Sequence, residues 1–142
     1  MSLSLSIRNQ LPGTVTAVSL GAAVAVVTVR LDGGQAITSA ITREAVQELD
    51  LIPGRTVRAL VKATDVSLAA GPVTGLSIRN HLPGTVAHIT ADVAMAAVKV
   101  TVPGGELTAA VTKEAVDDLG LSAGSAVTVL IKATEVALAA TG

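Results

Sequence analysis

The chain has no Phe, Tyr or Trp and no Cys among its 142 residues. Without aromatic rings there is no platform on which unpaired bases stack, which excludes the usual route to single-stranded nucleic-acid binding. Without cysteine there is no disulfide framework, no thiol nucleophile and no thiolate metal site. Charge is scarce too: 15% of residues carry one, against about 25% in an ordinary globular domain. Ten Lys and Arg face eleven Asp and Glu, a net charge of -1, so no field of one sign steers the molecule to nucleic acid or an acidic membrane. The most apolar stretch, Leu20 to Val29, is interrupted by Gly21 and Thr28 and is shorter than the ~20 residues that span a bilayer. The opening Met1-Ser2-Leu3-Ser4-Leu5-Ser6 has no basic flank and no continuous apolar run; no secretory signal is expected there, and the expected location is the cytoplasm. Half the residues are nonetheless hydrophobic. A chain so apolar and so sparsely charged is expected to bury further surface in an oligomer.

The sequence is a tandem duplication. Ser6-Ile7-Arg8-Asn9-Gln10-Leu11-Pro12-Gly13-Thr14-Val15 returns as Ser77-Ile78-Arg79-Asn80-His81-Leu82-Pro83-Gly84-Thr85-Val86. Thr42-Arg43-Glu44-Ala45-Val46 returns as Thr112-Lys113-Glu114-Ala115-Val116, and Lys62-Ala63-Thr64-Asp65-Val66 as Lys132-Ala133-Thr134-Glu135-Val136. The spacing slips by one residue between Gly34/Gly105 and Thr42/Thr112, which marks a tolerant stretch. A unit of about 70 residues is near the lower limit of independent stability. The period exceeds that of most solenoids, so two duplicated domains are expected rather than an array.

Within a unit the pattern is mostly strand. Leu3, Leu5 and Ile7 alternate with polar residues, which predicts a half-exposed strand. Leu11-Pro12-Gly13 reads as a turn, followed by strands over 14–19 and 22–31. Asp32-Gly33-Gly34 reads as a hairpin turn before a strand over 36–41. Thr42 is placed to cap a short helix whose apolar face is Val46 and Leu49. Strands over 56–61 and 66–68 complete the unit. Five or so strands and one short helix predict an all-β fold of two small OB-like barrels.

Little in this pattern supports catalysis. The two histidines, His81 and His88, replace Gln10 and Ala17 and have no counterpart in the first unit; they are expected to be surface or interface residues and a source of pH sensitivity in the second half. No Gly-Lys-Ser/Thr phosphate loop follows Gly33-Gly34. No repeated His or Asp stands ready to activate Ser6, Ser77 or the threonines. Glu44 and Glu114 repeat, but each is explained by its favourable place at a helix start. What repeats is a set of donors: Ser6 and Arg8, expected on one side of a strand; Lys62 at the end of an apolar strand; and Thr42 at a helix start, where backbone N–H groups lack partners. Each has a structural explanation by itself, as a cap, an ion pair or a snorkelling lysine. Together they are the components of a small-oxyanion site.

Ser-x-Arg-Asn-x-x-x-Gly-x-Val, Ala-Ile/Val-Thr-x-Glu-Ala-x-x-x-Leu and Leu-Val/Ile-Lys-Ala-Thr-x-Val together resemble the Mop domain, the TOBE-type molybdate-binding module of molbindins. Both halves match over nearly their whole length, so the chain is similar to a tandem-Mop molbindin, with domains at 1–70 and 77–142 and a linker at 71–76. The resemblance implies non-catalytic, cytoplasmic binding of molybdate, with tungstate as an analogue, for storage or homeostasis. It also implies six Mop domains in a homotrimer, with oxyanion sites at domain and subunit interfaces. By motif position it assigns the ligands Ser6, Arg8, Thr42, Ala45, Lys62 and Ala63, and in the second half Ser77, Arg79, Thr112, Ala115, Lys132 and Ala133. Relatives often carry Ser where Ala45 and Ala115 stand, so a hydroxyl donor is missing at both. Sites on the threefold axis are also implied, for which Asn9 and Asn80 are the candidates. The alternative from another class is an oligomerisation module that binds a protein partner and carries anions incidentally.

Overall fold

The computed structural model describes residues 4–141. Strand β1 (Asn9–Leu20) is followed by β2 (Val24–Leu31), β3 (Ala36–Thr42), helix α1 (Arg43–Glu48), β4 (Thr56–Val61) and β5 (Ser67–Ala70). The second unit repeats the order as β6 (Asn80–Ala91), β7 (Met95–Val102), β8 (Gly105–Thr112), α2 (Lys113–Asp118), β9 (Ala126–Ile131) and β10 (Ala137–Ala140). A short 3-10 turn precedes each last strand, at Ala63–Asp65 and Ala133–Glu135. The fold is mostly β with one short helix per unit, as the pattern predicts. In β2 the alternation is direct: Ala25, Val27, Val29 and Leu31 face inward and are buried, while Val24, Val26 and Arg30 face out. Successive side chains of a strand point to opposite faces, so one apolar register makes one buried face.

The two sheets are not made of one unit each. Their strand orders are β10-β4-β1-β2-β3 and β5-β9-β6-β7-β8. The last strand of each unit leaves its own sheet and pairs antiparallel in the other: Ala137 to Ala140 lie against Leu60 to Val57, and Ser67 to Ala70 against Leu130 to Val127. One hydrophobic core follows, containing Val15, Val27, Ile37 and Val61 of the first half with Val86, Val98, Leu107 and Ile131 of the second.

Three expectations from the sequence change. Leu3 lies outside the described residues, and residues 4–8 form bends rather than a strand. The Arg8 guanidinium curls this segment back, its Nε donating to Ser6 O (3.1 Å) and Nη2 to Leu5 O (3.1 Å). Leu11-Pro12-Gly13 is not a turn but lies within β1, paired with Ala59, Arg58 and Val57 of β4. A Cβ on Gly13 would stand 2.7 Å from both Arg30 O and Val29 Cγ1, and one on Gly84 2.6 Å from Val100 Cγ1. The glycine therefore marks a close strand–strand approach in a tightly coiled sheet, not a reversal. The last strand begins at Ser67 rather than Val66, and its partner is β9 of the other half.

One residue on the outer edge of β3 and one on that of β8 are each paired by an asparagine. Asn80, 3% exposed, accepts from Thr38 N–H on Oδ1 (2.7 Å) and donates from Nδ2 to Thr38 O (2.8 Å). Asn9, 2% exposed, does the same to Thr108, at 2.8 and 2.9 Å. Each carboxamide satisfies an edge residue as one residue of a further strand would. Asn80→Ala or Asn9→Ala leaves a buried N–H and C=O without partners and should destabilise the chain by about 2–4 kcal/mol. Urea unfolding measures this; a loss under about 0.5 kcal/mol would remove the joint from the account.

Candidate functional site

Arg8 and Lys62 come to the same end of one sheet. Asn9 pairs with Val61, so Arg8 and Lys62 flank the last rung of the β1–β4 ladder. Asn80 pairs with Ile131, and Arg79 and Lys132 stand in the same relation. The second half also repeats the curl, with Arg79 Nε donating to Ser77 O (3.3 Å) and Nη2 to Leu76 O (3.3 Å). An arginine carries five N–H donors; two brace its own loop and the remainder stay available. Ser6, Arg8, Lys62, Ser77, Arg79 and Lys132 are exposed, and Ala63 and Ala133 are half-buried at the start of the 3-10 turns. None of these four cations has a carboxylate within 4.0 Å among the described residues; the ion pairs there are Lys99–Glu106 and Lys113–Asp117.

Thr42 and Ala45 sit elsewhere. Thr42 ends β3 opposite Val24 and caps α1, its Oγ1 accepting from Ala45 N–H at 3.1 Å. Thr112 and Ala115 repeat this at 3.1 Å. Arg43 N–H donates to Ala23 O (2.9 Å), and Lys113 N–H to Ala94 O (2.9 Å). Two amides of each first turn thus already have partners, including the Ala45 and Ala115 N–H groups expected to face an anion. A hydroxyl that accepts still has its own proton to donate, so Thr42 and Thr112 carry the donor of this place. The groove beside it, of ≈ 440 Å³, is lined by Ala22, Ala23, Thr42, Arg43, Glu44 and Gln47.

The two donor groups stand at different places along the strands. Thr38 bonds to Asn80, the neighbour of Arg79, and Thr42 lies four residues further along β3. At about 3.3 Å per residue that is roughly 13 Å between backbone positions. Asn9 and Asn80, the threefold-axis candidates, are buried in the joint between the sheets, with donor and acceptor both engaged.

The halves differ in detail. His81 Nε2 contacts Ile78 O at 2.8 Å where Gln10 Nε2 donates to Ile7 O at 3.3 Å; the histidine keeps the bond of the residue it replaces. His88 is exposed and pairs with Thr90 Oγ1 at 3.1 Å. Asp92 accepts from the N–H groups of Met95 and Ala94, both at 2.8 Å, which hold its carboxyl below the usual range. Among the described residues no group of three or more His, Asp or Glu could hold a metal ion, and no helix is long and apolar enough to cross a membrane.

The model of the TOBE domain matches residues 5–68 and again 76–138. The chain belongs to the TOBE-domain family. A solved structure of the cytoplasmic molybdate-binding protein ModG, with molybdate bound, shares this tandem-TOBE fold at a TM-score of 0.95, with 40% identity over 98% of this chain and 100% of that one. The molybdenum transport protein ModE of Herbaspirillum seropedicae is 36% identical over 98% of this chain and 52% of its own length. The molybdenum-pterin-binding protein MopA of Rhodobacter capsulatus is 39% identical over 98% of this chain and 53% of its own length. This tandem TOBE chain thus spans about half the length of these two curated relatives. Molybdenum-pterin-binding protein 2 of Clostridium pasteurianum, 41% identical, is covered whole by 48% of this chain.

The capping role of the TOBE threonines is directly testable. Thr42→Ala removes the acceptor for Ala45 N–H and should lower stability by about 1 kcal/mol, while Thr42→Ser keeps it. Denaturant unfolding of the two variants separates them, and equal stability would contradict the cap.

Proposed function

We propose that this chain binds molybdate reversibly, without catalysis, and serves as a cytoplasmic store or buffer of the anion. The observation that carries this reading is the repeated pairing of Arg8 with Lys62 and Arg79 with Lys132 at the sheet ends, all four free of ion pairs among the described residues. Support comes from ModG, a structure of the same fold that holds molybdate. Ser6, Arg8, Lys62 and Ala63 form one half-site, with Ser77, Arg79, Lys132 and Ala133 as its copy. Thr42 with Ala45, and Thr112 with Ala115, form the complementary half-sites. Each site takes its two parts from different copies of the chain, a placement that the roughly 13 Å between their backbone positions along β3 favours. The proposed assembly is a homotrimer of six TOBE units, and tungstate, of the same shape and charge, is the expected analogue.

A dianion entering such an interface loses hydration, a prohibitive cost unless charge and hydrogen bonds replace the water. Arg and Lys provide the charge; hydroxyls provide direction. At roughly 1.5–3 kcal/mol net for each hydrogen bond to a charged group, a handful reaches the ~8 kcal/mol of micromolar binding. Phosphate near neutral pH retains a proton that needs an acceptor. Donors alone leave it unpaired, at a cost of about 1–3 kcal/mol. Sulfate is smaller, so donors fixed by two rigid sheets stand too far from its oxygens.

Calorimetric titration with molybdate, sulfate and phosphate tests both parts. Molybdate should bind with micromolar or tighter affinity and the other two at least tenfold more weakly. Arg8→Ala/Arg79→Ala should abolish molybdate binding and leave the oligomer intact by native mass spectrometry. Equal affinity for the three anions, or binding unchanged by the double substitution, overturns the reading.

A further inference from the structure

Lys62, Asp65, Lys132 and Glu135 gather where the two halves cross. Each 3-10 turn sets a carboxylate three residues after its lysine: Asp65 N–H donates to Lys62 O and Glu135 N–H to Lys132 O, both at 2.9 Å. The exchanged strands add a second relation. Ser67 pairs with Leu130 and Ala137 with Leu60. Asp65 therefore stands two positions past the end of the ladder on the side of Lys132, and Glu135 likewise on the side of Lys62. Asp65, Glu135 and Lys132 line a single cleft of ≈ 150 Å³ with Ser67 and with Ile78, the residue between Ser77 and Arg79. No lysine–carboxylate pair in this group closes to 4.0 Å among the described residues. The negative charges thus act at a distance and leave the ammonium groups open to a ligand.

We propose that Asp65 and Glu135 are affinity-setting residues: fixed negative charges, placed beside both lysines by the strand exchange, that hold anion binding below the strength the cations alone would give and so keep it reversible. The inference rests on the reading that Lys62 and Lys132, with Arg8 and Arg79, hold the oxyanion. Neighbouring strands stand about 4.8 Å apart, so a carboxylate one strand from the lysine lies inside the screening length of physiological salt. Its repulsion of an entering anion scales with the anion's charge. A dianion feels twice the repulsion of a monoanion of the same shape. A carboxylate that merely shaped the turn would affect the two alike.

The test is calorimetric titration of the full chain and of Asp65→Asn and Glu135→Gln with molybdate and with perrhenate, a tetrahedral monoanion of similar size. For a dianion and one carboxylate roughly 6 Å apart in water the expected gain is about tenfold in molybdate affinity per substitution, and about threefold for perrhenate. The two substitutions lie in different turns, so the failure of one variant to fold leaves the other as the test. Unchanged or weaker molybdate binding in the folded variants, or an equal gain for both anions, overturns the inference while molybdate binding by the parent chain stands. No molybdate binding by the parent chain removes this inference and the reading beneath it together.

Discussion

Each sheet of this molecule ends in four residues that belong, by sequence, to the other half. β10 completes the sheet of β1 to β4, and β5 completes that of β6 to β9. Around this exchange, buried polar side chains satisfy particular backbone groups. Asn80 closes Thr38, Asn9 closes Thr108, and Ser39, fully buried, donates to Val136 O at 2.7 Å just before β10 begins. Removing one half would expose two sheet edges and strip the other of a strand, so the hydrophobic core is a property of the pair. A unit near the lower size limit for independent folding gains from this the surface burial it lacks alone.

The same crossing positions the chemistry. Lys62 and Lys132 end the strands that receive the exchanged partner, and Arg8 and Arg79 precede the asparagines that lock the seam. The asparagine next to each arginine is among the most buried polar residues of the chain. The arginine is therefore held at a fixed height above the sheet end, while its own Nε and Nη2 brace the loop that carries Ser6 or Ser77. A flexible guanidinium on a loose N-terminal arm would lose more conformational entropy on meeting a ligand. Here much of that ordering is already done by the fold, which is the general condition for a site that binds without reorganising.

Strand content, the cap at Thr42 and the hairpin at Asp32-Gly33-Gly34 were legible because each depends on local chemistry. Thr42 needs only a hydroxyl before a helix, and Gly34, at φ 101°, needs only the freedom of glycine in a turn. The exchange was not legible, and the reason is the duplication itself. Ser67-Leu68-Ala69-Ala70 and Ala137-Leu138-Ala139-Ala140 are nearly interchangeable, so pairing with β4 or with β9 satisfies the same pattern. Pro12-Gly13 misled for a different reason. The dipeptide ordinarily reverses the chain, but here glycine answers a steric demand from Arg30 and Val29 on the neighbouring strand. Asn9 and Asn80 were visible as repeated polar residues, yet their partners lie 99 and 42 residues away, a separation that no local pattern encodes.

The absence of a hydroxyl at Ala45 and Ala115 acquires a meaning from the helix start. The Thr42 and Thr112 hydroxyls accept from the N–H groups of these alanines, so neither the side chain nor the amide at that position offers a donor. In the proposed site the helix end then contributes one oriented hydroxyl proton, and the six-residue helices contribute only a small dipole. On the proposed reading, binding energy then comes chiefly from the arginine–lysine end, where none of the four cations has a carboxylate within 4.0 Å among the described residues. On that reading the carboxylates at the crossing are consequential. Where hydroxyls and amides dominate, a nearby negative charge changes little; where two cations dominate, it would set how tightly an anion is held.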